Sequence, residues 1–206
     1  MRILEVSRLL RRNGLAVFTS RELSLLLPRE DRRVSALQLH QWNRKGWVVR
    51  LRRGVYELAF PEPGIVPDLH LANRLYEPSY VSLETALSRY QIIPETAAQV
   101  TSVTPMPTRR FLTPRGLFTY MTIRPGAFAG YRLDTEQGVP VRIAEPEKAV
   151  VDRLYAGMRR GEPLRPLEDR WDRGKLRRLD RRKLAAYARL FGAGAPRLMG
   201  RLNALV

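Results

Sequence analysis

The chain has 206 residues, 44% of them hydrophobic, enough for the core of one or two domains, and it carries 37 lysines and arginines against 20 acids, a formal charge of +17. Without cysteine it has neither a disulfide framework nor a thiolate metal site, and no apolar run approaches the roughly 20 residues of a membrane-spanning helix. The first residues, MRILEVSRLLRRNG, interleave arginine with apolar side chains and lack the unbroken apolar stretch of a signal peptide, so a cytoplasmic protein is expected.

The charge is segmented. Residues 1–60 hold 13 basic and 5 acidic side chains, residues 61–163 hold 12 and 11, and residues 164–206 hold 12 and 4. Two basic ends around a near-neutral middle suit a polyanion-binding protein better than a uniformly solvated surface.

In chain order, Ile3, Val6, Leu9 and Leu10 share a helical face, and Asn13-Gly14 ends that helix. Thr19 stands three residues before Glu22, which predicts a capping box at the start of a second helix that Pro28 ends. A third helix is expected from near Ser35 to Gly46. At about 100° per residue, Ala36, Leu39, Trp42 and Gly46 fall on its buried face. Leu37, Gln41 and Arg44, flanked by Gln38 and Lys45, then face outward, because burying Val34 and Leu37 instead would desolvate Gln41 and Arg44. Trp47-Val48-Val49 and Val55-Tyr56 follow as strands around a turn that carries Arg50, Arg52 and Arg53.

Three helices and a hairpin, in that order, predict a winged helix-turn-helix over residues 1–60. A proline-rich linker, residues 61–69, and a mixed α+β domain ending in basic helices, residues 70–206, complete an α+β fold. The third helix fits the major groove of double-stranded DNA. On it, Gln38 and Gln41 suit adenine, Arg44 suits guanine, and Leu37 suits a thymine methyl. Arg32, Arg33, Ser35 and Lys45 approach the same groove. Arg50, Arg52 and Arg53 would meet phosphates from the wing, and Thr19, at a helix N-terminus, would meet another.

In the middle segment, YVSLETALSRY reads as a strand entering a helix at Ser82, and AQVTSVTP reads as a strand. RRFLTPRGLFTYMTI gives two strands around Pro114-Arg115-Gly116, RPGAFAGY a turn or short helix, and YRLDTEQGVPVRIA a hairpin on Glu136-Gln137-Gly138. EPEKAVVDRLYAGM opens a helix with Pro146 in its first turn and Ala149, Val150, Leu154 and Met158 toward the core. Two further helices close the chain.

The stretches FTSRELS, RLRRGVY, YVSLETALSRYQIIPE, TSVTPMPTRRF, FTYMTIRPGAFAGY and IAEPEKAVVDRLY together resemble the AbiEi-like antitoxins of bacterial type IV toxin–antitoxin systems, over roughly residues 5–190. The resemblance implies a winged-helix DNA-binding domain joined to an antitoxin domain. It implies repression of the chain's own promoter, with inverted repeats as operator, and a neighbouring gene for a nucleotidyltransferase-type toxin. Such an antitoxin opposes its toxin without a stable complex.

No cofactor, metal site or catalytic residue is expected. His40 and His70 are the only histidines, and neither a GxGxxG nor a phosphate-binding GK[ST] loop is present. Asp134, Glu145 and Glu147 are the carboxylates a metal-dependent nuclease would need, but their spacing with Lys148 fits a capped helix start better. A nuclease and a ligand-responsive one-component regulator stand as the alternatives. The basic run 170–183 is either a solvated face pairing with Asp172 and Asp180 or a second nucleic-acid contact, and Trp171, Tyr187 and Phe191 near it are spaced as core anchors.

Overall fold

The computed structural model describes residues 2–94, 98–163 and 171–205. Glu95, the end of the YVSLETALSRYQIIPE stretch, and Arg170, the start of the basic run, lie outside the described residues.

The fold is mixed α+β, with helices at both ends. The N-terminal part runs α1 (Ile3–Arg12), β1 (Val17–Thr19), α2 (Ser20–Leu26), α3 (Arg32–Arg44), β2 (Val48–Arg52) and β3 (Val55–Leu58). Its three strands form an antiparallel sheet in the order β1-β3-β2. The capping box on Thr19 forms as its sequence predicts: the Glu22 amide donates to Thr19 Oγ1 at 3.0 Å, and the Thr19 amide donates to Glu22 at 2.7 Å.

The start of α3 differs from the sequence expectation. Asp31 accepts hydrogen bonds from the Arg33 and Val34 amides, so the helix begins at Arg32 rather than near Ser35. Leu39 and Trp42 are buried as expected, but Ser35 is buried beside them and Ala36 is exposed.

The small sheet is buried on both faces, because its residues alternate. Phe18, Val48 and Leu58 point into a helical core with Val6, Leu10, Leu23, Leu39 and Trp42. Val17, Leu51 and Val55 point the other way, into the main core of the rest of the chain. The stretch expected as a linker therefore spans a shared hydrophobic seam. Within it Val66 is buried, and α4 (Asp68–Leu75), absent from the sequence reading, buries Leu71, Ala72 and Leu75.

Beyond the seam lies a six-stranded sheet in the order β6-β7-β5-β4-β9-β8. Its strands are β4 (Tyr80–Val81), β5 (Val100–Thr104), β6 (Arg109–Thr113), β7 (Gly116–Thr122), β8 (Tyr131–Glu136) and β9 (Val139–Ala144). The β4–β9 and β5–β7 pairs are parallel; the others are antiparallel. Tyr120 donates to the Ala72 carbonyl on one face, while Thr101 donates to the Ser82 carbonyl on the other. These two bonds put α4 and α5 (Leu83–Arg89) on opposite sides of the sheet.

Helix α6 (Pro146–Arg160) packs against α5 and against the closing helices α8 (Arg181–Arg189) and α9 (Ala195–Leu205), with the short α7 (Arg173–Arg177) before them. Gly161, in the left-handed region at φ +71°, ends α6. No described helix is long and apolar enough to cross a membrane.

Candidate nucleic-acid interface

An open groove of about 1050 Å³ lies between α2, α3 and the β2–β3 hairpin. Arg21 borders it from α2, Arg32, His40 and Asn43 from α3, and Arg50 and Arg53 from the hairpin. Glu30 is the one acid in this lining, against four arginines. Asn43 also fixes the hairpin to the helix, since its Oδ1 accepts the Arg50 amide at 2.8 Å. The tip turns at Gly54, whose φ of +76° suits glycine.

The expected contact residues divide into three groups. Arg32, Arg33, Gln41, Arg44, Lys45, Arg50 and Arg53 are exposed, and Leu37 is 63% exposed. Arg32, Arg50 and Arg53 line the groove, while Leu37, Gln41 and Arg44 occupy the adjoining strip of α3 outside it. Lys45 sits over the Trp47 ring, 4.6 Å from its centroid. Gln38 is half-buried on the far side of the helix.

Thr19, Ser35 and Arg52 are spoken for by the fold. The Thr19 hydroxyl is engaged with Glu22, to which it donates at 2.9 Å, and Ser35 is 5% exposed. Arg52 does not stand at the free tip with Arg50 and Arg53. A β-bulge between Arg50 and Arg52 breaks the alternation, so that Leu51 and Arg52 are both directed toward the main core. Arg52 Nε donates to the Leu75 carbonyl, and its guanidinium lies 5.3 Å from the Phe111 ring centroid. Burial lowers the Arg52 pKa, and the nearby guanidinium opposes burial at Tyr120, whose pKa is raised overall.

Arg21, His40 and Asn43 are groove residues that the sequence reading did not select. Helical phase gave a signal for two of them: His40 and Asn43 lie on the flank of α3 beside Ala36, and the hairpin determines which flank becomes a groove.

The groove is held in place across the seam. Arg74 of α4 donates to Glu22 and to the Val17 carbonyl, the latter at 3.3 and 3.4 Å. Arg115 bridges Glu57 and Asp68, each at 2.8 Å. Burial pushes the Glu22 carboxyl up, but hydrogen bonds from Arg74 and Thr19 outweigh it and hold the group below its usual range. At Glu57 burial wins over the pull of Arg115, and the carboxyl is raised.

The other candidates are dispersed. Asp134 pairs with Arg89 and Arg132, Glu145 accepts from Lys183 and Tyr187, and Glu147 accepts the Asp180 amide. His70 Nδ1 donates to the Pro140 carbonyl at 2.8 Å. In the basic run, Asp172 and Asp180 cap α7 and α8 with their carboxylates. Trp171 and Phe191 are buried and Tyr187 is half-buried, in keeping with core anchoring.

No family model matches the chain, and no curated protein matches it. What the groove does is therefore a question for its geometry.

Proposed function

We propose that the chain is a winged-helix regulator that binds double-stranded DNA in the cytoplasm. On this reading α3 enters the major groove and the β2–β3 hairpin is the wing. The observation that carries it is the groove itself: Arg21, Arg32, Arg50 and Arg53 converge from three elements beside an exposed helix face. Arg32 and Arg33 also lie in the first turn of α3, where the helix dipole disfavours cations and the Asp31 carboxylate is engaged in capping the Arg33 and Val34 amides. Phosphates would remove that conflict and release counterions. His40, Gln41 and Arg44 would then present hydrogen-bonding groups to base edges.

The particular role follows from the resemblance of the FTSRELS to IAEPEKAVVDRLY stretches to AbiEi-like antitoxins. We infer repression of the chain's own promoter and antitoxin action against a nucleotidyltransferase-type toxin, without a stable complex between the two. Fluorescence anisotropy with a duplex from upstream of the gene and a shuffled duplex tests the first part. The upstream duplex should bind roughly a thousandfold more tightly at physiological salt, and equal affinities would overturn the assignment. For the second part, coexpression with the neighbouring gene's product should restore growth without co-purification of the pair.

A further inference from the structure

The sheet face that carries Thr101 and Thr119 is only partly covered by α5 and α6. A second cleft, of about 640 Å³, opens beside the end of α6, in the size range of small-molecule sites. Arg110, in register with Thr119, reaches it from the edge strand β6, Arg109 borders it from the same edge, and Arg159 and Arg160 reach it from the last turn of α6. All four are exposed.

The acids nearby are already engaged. Glu84, on the cleft wall, is held by Arg153 Nε at 2.9 Å, and Glu162 holds Arg160 and a second Arg153 nitrogen. Among the described residues, no acid pairs with Arg109, Arg110 or Arg159. Like charges drawn from two elements into one concavity repel each other, and a bound polyanion relieves that repulsion with bidentate hydrogen bonds. The rest of the lining includes the half-buried Met121, which can cover a part of the ligand that bears no phosphate. The concavity is small for a duplex, which presents its phosphates on a convex surface.

We propose that this cleft binds a nucleoside polyphosphate, with its phosphates on Arg110 and Arg159 and its base against Met121. The site lies one residue from the wing's anchor. Arg110 lines the cleft, and the next residue of β6, Phe111, carries the guanidinium of Arg52. Occupancy of the cleft thereby reaches the hairpin through β6, a coupling that rests on the DNA-binding reading above. Binding of the nucleotide does not rest on it.

Isothermal titration of the full chain with ATP, GTP and inorganic triphosphate tests the site, with thermal melts to confirm that each variant folds. At least one nucleotide should bind with a Kd tighter than about 1 mM and at least about tenfold more tightly than triphosphate. Arg110→Glu and Arg159→Glu should each weaken it about tenfold or more, whereas Arg53→Glu, in the other groove, should leave it unchanged. No nucleotide binding, binding indifferent to both cleft variants, or triphosphate binding as tight as nucleotide would overturn the proposal. So would loss of duplex binding in the cleft variants without any nucleotide binding, which would make the cleft an extension of the DNA surface. If no duplex binds but the nucleotide titrates as expected, the site stands and the DNA reading falls.

Discussion

Arg74 and Glu22 join two parts of the chain that the sequence separates by a proline-rich stretch. The arginine leaves α4, crosses the seam, and meets the carboxylate that also completes the capping box of α2. One ion pair thus ties α2 to α4, the helix that covers one face of the large sheet. Arg74→Ala removes it together with the bonds to the Val17 carbonyl and should lower unfolding stability by about 2 kcal/mol, measured by urea denaturation. A loss within the error of the measurement would show that the Arg74–Glu22 pair does not hold the seam.

The two seam carboxylates should respond to pH in opposite senses. Glu22 is held below its usual range, so its contribution to stability is present above the unfolded-state pKa of about 4.3 and is lost as pH falls through the folded value. Glu57 is raised, so its contribution is present below about pH 4.3 and is lost as pH rises through the folded value. The stability difference between wild type and Glu22→Gln should therefore shrink on acidification. Between wild type and Glu57→Gln, it should move in the variant's favour as pH rises from acid to neutral. Parallel pH profiles for the two variants would contradict these environments.

Lys148 and Asp152 are fully buried, one helical turn apart on α6, and the Asp152 carboxylate also accepts hydrogen bonds from Tyr80 at 3.0 Å and Ser82 at 2.8 Å. The pair clamps α6 to the β4–α5 junction. Asp152→Ala leaves the ammonium without its partner in the core and should cost about 3–5 kcal/mol, read by chemical denaturation. The double replacement Lys148→Met with Asp152→Leu should cost much less, because no charge is left behind. If the single and double variants were equally unstable, the carboxylate would matter for its shape and not for its charge.

Much of the architecture was legible because it rests on local rules. The Thr19–Glu22 capping box, the inward Leu39 and Trp42, the turn at Gly54 and the Pro146 helix start all depend on neighbours within a few residues. What escaped depends on distant parts of the chain. Strict alternation places Arg52 beside Arg50, and only the bulge against β3 re-aims it. Strand β1 is three residues long and exists through its pairing with β3. The Lys148–Asp152 spacing reads as an ordinary surface helix pair until the closing helices cover it. The linker composition of residues 61–69 concealed that Val66 joins the main core. Asp31 is different: as a good N-cap residue it is a local signal for a helix start at Arg32, about a turn before the start expected near Ser35.

The salt dependence of duplex binding tests the central claim most directly. Removing one arginine–phosphate interaction flattens the slope of log affinity against log salt by about 0.9. The double variant Arg50→Ala with Arg53→Ala should flatten it by about 2 relative to wild type, while Arg52→Ala, which disrupts the packing on Leu75 and Phe111, should lower stability and leave the slope unchanged. A wild-type slope in the double variant, or the same flattening from Arg52→Ala alone, would show that the groove between α3 and the hairpin is not where DNA phosphates bind.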